Sequence, residues 1–394
     1  MQTASRLDRV RPSPTLAVTQ RAAELRAQGR DIISLGAGEP DFDTPEHICE
    51  AAVRAIADGQ TRYTAVAGTP ELKAAIADKL QRDNELSYTP QQILVSVGAK
   101  HSLYNLNVAL LDEGDEVVVP APYWVSYPDM ALLAGGEVRV VECSIDDEFK
   151  MPPERLAEAI TPRTRLLVLN SPSNPTGAAY TRAELEAIGE VLLRHPEVVV
   201  VTDDIYEDLY WADEPFCNIL MACPDLTDRC VVVNGVSKTY AMTGWRIGYA
   251  AGPEQLIKAM TKLQSQSTSN PCSISQAAAL EAISGDQGCL VPMVRAFHER
   301  HDTVVAALSA MPGVRCRPGE GTFYAFPDFN EAIAAMDGIA DDLGFAARLL
   351  DEAGVALVPG SAFGAPGHMR VSFATDMATL EDALQRIQGL LEPA

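Results

Sequence analysis

The sequence predicts an α/β protein: a large domain with a mostly parallel sheet flanked by helices, plus a smaller α+β domain built from both chain ends. Three observations carry this. Short apolar runs such as ILVSVG (93–98), RLLVLN (165–170), VVVV (198–201) and VVV (231–233) alternate with amphipathic helical stretches from Pro90 onward. After residue 310 that rhythm gives way to short strands and single helices. At 394 residues the chain has room for a large domain and a smaller one. The expected division is an N-terminal arm and part of the small domain over 1–45, the large domain over 46–290, and the rest of the small domain over 291–394.

Composition narrows the function classes. The chain is 47% hydrophobic and 22% charged, an ordinary globular balance. It has no apolar run long enough to span a membrane, and MQTASRLDRVRPSP lacks the apolar core of a secretory signal. A formal charge of −23 repels nucleic acid and anionic membranes. The eight cysteines include no CxxC pair, and they read as reduced, mostly buried thiols of a cytoplasmic protein.

The elements follow in order. Residues 16–28 form a first helix, with Leu16, Ala23 and Leu25 apolar, stopped near Gly29. Ile32–Leu35 is a short strand. The glycines of Gly36-Ala37-Gly38 suit either an anion held by backbone N–H groups or a plain structural turn. Thr44 and Pro45 cap and start the next helix, with Ile48, Ala52, Ala55 and Ile56 on its apolar side. Tyr63 lies in the following loop. Thr69-Pro70-Glu71 opens a helix through Leu80. Strand 93–98 runs into a helix over Ala99–Leu111, whose start is a ready site for phosphate or carboxylate. Lys100 sits at the wrong helix end for the dipole, which favours a ligand explanation. Trp124 follows the next strand, and both a core role and a stacking platform for a flat ring fit it.

Further on, RLLVLNSPSNPTG is a buried strand running into a rigid turn with Asn174 before Pro175. A helix spans Arg182–Leu193. The next strand ends in Asp203, Asp204 and Tyr206, and two acids after four valines are costly unless exposed or paired. Asp203 is the better candidate for an acid kept ionised beside a cation. No histidine lies nearby, so no metal is expected. VVVNGVSKTYAMTGWRIGYA (231–250) places Lys238 and Arg246, eight residues apart, between two short strands. One reading is a surface hairpin with solvated cations. The other is a lysine that bonds covalently to a carbonyl cofactor, with an arginine holding an anionic group. Helices follow from Glu254, over Ser275–Ile283 and over Cys289–Ala310. The remainder reads as a strand pair with a Gly turn in GVRCRPGEGTFYAFPDF, a helix over Leu343–Ala353, a strand and loop in VALVPGSAFG, a strand carrying Arg370 in HMRVSFA, and a helix over Met377–Leu391.

In that order AGEPDFDTP, PYWVSYP, SPSNPTG, SKTYAMTGWRIGYA and MRVSFA match a known pattern. The chain resembles, almost end to end, the fold-type I pyridoxal-phosphate aminotransferases, in particular the bacterial aspartate (aspartate/prephenate) aminotransferase subgroup. The resemblance implies a seven-stranded sheet, pyridoxal 5'-phosphate as cofactor, and a homodimer with active sites at the subunit interface. By resemblance, Lys238 joins the cofactor aldehyde and moves the substrate proton. Asp203 keeps the ring nitrogen protonated, and Asn174 and Tyr206 donate to the ring oxygen. Trp124 stacks over the ring. Ala99, Lys100, Ser237 and Arg246 lie at the cofactor and its phosphate, with Tyr63 supplied by the other subunit. Arg370 pairs the substrate α-carboxylate, helped by Gly38 and Asn174, and Lys100 takes a distal carboxylate.

The implied reaction moves the amino group of L-aspartate to 2-oxoglutarate. Prephenate, aromatic acids and alanine are alternative substrates, and a C–S lyase of the same fold is the more distant reading. A pyridoxal-binding regulator would need a basic DNA-binding module, which the acidic chain opposes. Two departures stand out. Gly235 replaces a serine that many relatives turn to the phosphate, and Ser173 stands where others have a second asparagine.

Overall fold

A computed structural model describes residues 3–10 and 14–392. The twelve strands are β1 (Ile33–Ser34), β2 (Ile93–Ser96), β3 (Glu116–Ala121), β4 (Glu137–Glu142), β5 (Thr164–Asn170), β6 (Val199–Asp203), β7 (Cys230–Gly235), β8 (Gly248–Ala251), β9 (Tyr324–Ala325), β10 (Val355–Ala356), β11 (Val358–Pro359) and β12 (Met369–Ser372). Seven of them form the main sheet in the order β2-β8-β7-β6-β5-β3-β4. Within it β8 alone runs antiparallel to its neighbours β2 and β7, while β3, β4, β5, β6 and β7 pair in parallel.

Period-two alternation explains why these apolar runs are strands with both faces covered. Val117, Val119, Leu166, Val168, Val231 and Val233 pack on one face with Leu103 and Leu106 of the helix Ala99–Leu110. Val118, Leu167, Leu169 and Val232 point the other way, against Leu72, Ile76 and Leu80 of the helix Pro70–Asn84. Each such buried Val or Leu stabilises the fold by roughly 1.5–3 kcal/mol before entropy is counted.

The smaller domain joins the two chain ends. β1 pairs in parallel with β10, so Ile33 lies opposite Val355. β11, β12 and β9 form an antiparallel sheet, and the Ser372 N–H donates to the Leu35 carbonyl at 2.8 Å. Its core gathers Phe297, Phe323, Phe329, Phe345 and Phe373 with Leu35, and it continues into Ile205, Tyr206 and Leu209 of the large domain. Main sheet and small domain thus meet at the Tyr206 turn.

Several local expectations change. In the first helix, Pro14–Ala27, Ala22 and Leu25 are buried while Ala23 is exposed; the side chain of Leu16 lies outside the described residues. The helix Glu46–Ala57 is capped by Pro45 rather than Thr44, whose hydroxyl instead donates to the Ala241 carbonyl at 2.8 Å. Its buried stripe is Ile48, Ala51, Ala52 and Ala55, leaving Ile56 55% exposed. The strand pair expected over 313–329 reduces to β9 and a bridge between Arg315 and Asp328. The reason is that the backbone around Gly321 bonds elsewhere: the N–H groups of Glu320 and Gly321 donate to the Gly177 carbonyl, and that of Thr322 to the Leu209 carbonyl. All eight cysteines are free, but only Cys143, Cys217 and Cys230 are buried.

Candidate active site

The carboxyl ends of the parallel strands open on one side, where α/β sheets bind ligands. There Asn170 ends β5, Asp203 ends β6 and Gly235 ends β7, just before Lys238. A cavity of about 520 Å³ lies over these ends, within the usual range for a small-molecule site. Gly38, Ala99, Lys100, Trp124, Asn174, Asp203, Tyr206, Ser237, Lys238, Arg246 and Arg370 all line it. Of the residues that the resemblance places at cofactor or substrate, Tyr63 is the one outside this lining, 92% exposed on the surface.

One end of the cavity is built for an anion. Gly98 adopts φ +82° and the helix Ala99–Leu110 starts there, with no side chain capping it. Its first N–H groups therefore lack intrahelical partners. β8 passes so close that a Cβ on Gly248 would lie 2.1 Å from the Ala99 nitrogen, and one on Gly98 would lie 2.4 Å from Nη2 of Arg246. Glycine at both positions lets strand, helix start and guanidinium converge. Nη1 of Arg246 donates to the Thr243 carbonyl at 2.7 Å, which fixes the fork beside the helix start. Gly235 belongs to the same packing. A Cβ there would meet Gly248 Cα and the Ile247 carbonyl, each at 2.9 Å, so a serine side chain has no room at this position.

Lys238 stands at the centre. Its amine donates to the Gly38 carbonyl. Part of the side chain faces the cavity, yet protein surrounds the amine, and this desolvation brings its pKa down from 10.5 to about 8. Arg370, Arg246 and Lys100 push it down further, while Glu39 opposes them. Near neutral pH a useful fraction of the amine is unprotonated, as a nucleophile or base requires.

Asp203 is buried, and desolvation lifts its pKa from 3.8 to about 6. It accepts a hydrogen bond from the Tyr127 hydroxyl at 2.7 Å, and this bond and the charge of Lys238 pull the other way. Asp204, its neighbour, does not line the cavity; it accepts from Asn218 at 2.7 Å and is pushed up to about 8 by burial. Asn170 holds the adjacent turn, donating to the Asp203 carbonyl at 2.8 Å and accepting from the Asn174 N–H at 2.9 Å.

Arg370 reaches in from β12 and is buried. Nη1 donates to Asn174 Oδ1 at 3.0 Å and Nη2 to the Gly36 carbonyl at 2.9 Å, while its buried Nε has no partner. The guanidinium lines the cavity, and its planar fork suits a carboxylate. Lys100 projects from the helix start, its amine 4.7 Å from the centroid of the Trp124 ring. That ring lies edge-on to Tyr127 at 5.2 Å. Sequence reasoning missed Tyr127, Asn170, Glu39 and Tyr324, all of which line the cavity. Tyr127 lies inside the quoted PYWVSYP motif, but only the fold reveals its contact with Asp203. Among the described residues no group of three His, Cys, Asp or Glu could hold a metal ion.

A helix-start cradle with Arg246 suits a phosphate, an unprotonated lysine suits an aldehyde, and a buried lone carboxylate suits the N–H of a pyridinium ring. The fold and this donor set define a fold-type I pyridoxal-phosphate enzyme. Comparison with known proteins narrows the class. The profile of aminotransferase class I and II matches residues 30–387. An aspartate/prephenate aminotransferase of Nitrosomonas europaea is 53% identical over 396 residues, covering 99% of this chain and all of the relative. An aspartate aminotransferase of Geobacillus stearothermophilus is 51% identical over 392 residues, covering 100% of this chain and 99% of the relative. Among solved structures, the aspartate aminotransferase from Rhizobium meliloti matches with a TM-score of 0.96 at 48% identity over 99% of both chains. That from Thermus thermophilus, with maleate, gives 0.93 at 45% identity over 99% of this chain and 100% of the other. The chain belongs to the class I and II aminotransferases and depends on pyridoxal phosphate.

Proposed function

We propose that the enzyme moves the amino group of L-aspartate to 2-oxoglutarate, giving oxaloacetate and L-glutamate in two half-reactions at one site. The observation that carries this is the placement of two cationic side chains, Arg370 and Lys100, around the cavity that Lys238 enters. Arg370 takes the α-carboxylate, aided by Asn174 and the Gly38 backbone. Lys100 takes the distal carboxylate. Bound pyridoxal phosphate supplies an aldehyde for amine exchange and a protonated ring that draws electrons from the substrate Cα.

The remaining work falls to the chain. Ala99 and Lys100 at the helix start, Ser237 and Arg246 grip the phosphate. Asp203 holds the proton on the ring nitrogen, and the cation beside it offsets the cost of its burial. Tyr206 donates to the ring oxygen, as does Asn174 through its Nδ2, since its Oδ1 already accepts from Arg370. Trp124 offers the stacking face. Lys238 takes the proton from the substrate Cα on Nζ and delivers it elsewhere along the same face.

Tyr63 reaches the phosphate of a second subunit in this reading, so the working unit is a homodimer. Supporting it, Val53 and Ile56 on the nearby helix are 65% and 55% exposed, apolar surface of the kind that interfaces cover. Eight free thiols suit a reducing cytoplasm. A second reading, prephenate as amino acceptor, is favoured by Lys100 and by relatives named for both substrates.

The test supplies the cofactor-loaded enzyme with L-aspartate and 2-oxoglutarate, and separately with prephenate as acceptor, and follows oxaloacetate and glutamate or the aminated product. Oxaloacetate with glutamate supports the first reading. Amino transfer only from aromatic acids or alanine overturns the substrate, and pyruvate with ammonia from a cysteine-like substrate indicates a lyase. Lys238→Ala is expected to lose at least the roughly 10²–10⁴-fold that a positioned base supplies; unchanged turnover would refute its role.

A further inference from the structure

Tyr324 was in none of the motifs, yet it touches both halves of the site. It sits on β9, paired with β12 so that Tyr324 lies opposite Ser372, two residues beyond Arg370. The side chain is 1% exposed. Its ring lies 4.4 Å from the Arg370 guanidinium carbon, within cation–π range. Its hydroxyl lies 3.4 Å from the Tyr206 hydroxyl, and the two rings meet edge to face at 6.1 Å. Among the described residues, neither hydroxyl has another hydrogen-bond partner in the protein. On its far side the hydroxyl is 3.4 Å from where a Cβ on Gly38 would stand, so it is confined between Tyr206 and the backbone that receives the Lys238 amine.

The hydrogen-bond direction follows from arithmetic of protons. Burial holds both phenols well on the protonated side. Each has one proton to donate and lone pairs to accept. If Tyr206 gives its proton to the cofactor's ring oxygen, it has none for Tyr324, so Tyr324 must donate to Tyr206. A phenol that accepts a hydrogen bond becomes a stronger donor at its own O–H. The 3.4 Å separation is long for such a pair, and contacts of this kind tighten when a site fills.

We propose that Tyr324 is a positioning residue that links the Arg370 carboxylate grip to the Tyr206 hydroxyl, its ring bracing the guanidinium and its hydroxyl strengthening the donation from Tyr206 to the cofactor. The proposal rests on the reading of Tyr206 as donor to the ring oxygen. Tyr324→Phe removes the hydroxyl and keeps the ring; Tyr324→Leu removes both.

The experiment titrates the visible absorbance of the cofactor-loaded protein with pH, which reports the protonation of the nitrogen joining Lys238 to the cofactor. Maleate, a non-reacting dicarboxylate, is titrated alongside. A weaker donor at the ring oxygen favours the protonated nitrogen, so the midpoint rises. Tyr324→Phe is expected to raise it by about 0.5–1 pH unit, the scale of one modest hydrogen bond. In a Tyr206→Phe background the same change adds nothing, because Tyr324 then has nothing to act through. Maleate affinity stays within about twofold in Tyr324→Phe and falls about fivefold or more in Tyr324→Leu, on the scale of a lost cation–π contact.

An unmoved midpoint in Tyr324→Phe, where Tyr206→Phe does raise it, overturns the proposal alone. So does an additive shift in the double variant, or a loss of maleate affinity in Tyr324→Phe as large as in Tyr324→Leu. A flat response in Tyr206→Phe itself overturns the reading of Tyr206, and the proposal with it.

Discussion

Replacing Asp203 by asparagine has opposite consequences with and without cofactor, and both can be sized from the structure. Burial raises the carboxyl pKa from 3.8 to about 6. Between those values the folded protein binds more protons than the unfolded chain, so its stability falls as pH rises through that window. Above about pH 6 the full penalty is present, on the order of 3 kcal/mol at about 1.4 kcal/mol per unit. The substituted amide would carry no charge, and its remaining oxygen can still accept from the Tyr127 hydroxyl, as the Asp203 carboxylate does. The cofactor-free D203N protein is therefore expected to be more stable than the parent at pH 8, by about 1–3 kcal/mol once imperfect pairing of the new amide is allowed for. At about pH 4.5 the gain should shrink to roughly a third, because most of the parent carboxyl is protonated there. Adding pyridoxal phosphate reverses the order, since only the parent offers a carboxylate to the ring N–H. The assay is urea unfolding of cofactor-free and loaded protein at both pH values, followed by tryptophan fluorescence, with Trp124 beside the site. A gain independent of pH, or a loss of stability in cofactor-free D203N at pH 8, would refute the electrostatic argument.

Lys100→Ala should raise KM for dicarboxylic substrates about 10–100-fold, the worth of one charge-assisted hydrogen bond, while kcat for a monocarboxylic amino acid changes little; steady-state kinetics on paired substrates checks this. Gly235→Ser should not strengthen phosphate binding. It should lower the unfolding midpoint, because its Cβ would stand 2.9 Å from both Gly248 Cα and the Ile247 carbonyl; cofactor titration and thermal unfolding together decide. Lys79→Met should destabilise the large domain by about 3–5 kcal/mol, since it strips the buried Glu207 of its cationic partner. Glu207 would then keep only its bonds from Asn84 and Asn234, at 2.7 and 2.6 Å. Urea unfolding measures that loss, and a K79M/E207Q double variant should recover part of it.

The main sheet was legible because its strands are runs of Val and Leu flanked by turn residues, and burial on both faces leaves such runs no other use. Asp203 and Lys238 stood out because charged residues at or just past strand ends break an apolar pattern, whereas Arg370 lies within β12 and drew attention through the resemblance. Less could be read where a residue's role depends on a distant partner. Thr44 reads locally as a helix cap, but Trp245 and Ala241 claim its hydroxyl. Ile56 has the right helical spacing for the core, yet the helix Ser273–Ser284 packs on the Ala51–Ala55 side and leaves it outside. The segment around Gly321 looks like a hairpin, and becomes instead a strap whose N–H groups bind carbonyls of the other domain. Tyr324 was invisible for the same reason: nothing near it in sequence hints at Tyr206.

The two hydrogen bonds of Arg370 also set a timetable for synthesis. Its contact with Gly36 spans 334 residues of chain, against 200 for the Lys238 contact with Gly38. A chain emerging from the ribosome holds every strand of the main sheet once β8 is out. Asp203, Lys238 and Arg246 are then all present, while β12 is still unmade. The carboxylate grip is among the last pieces translated, and closing so long a loop is slow. A nascent or truncated chain can thus carry the helix-start cradle, Arg246 and the lysine while still lacking the Arg370 guanidinium.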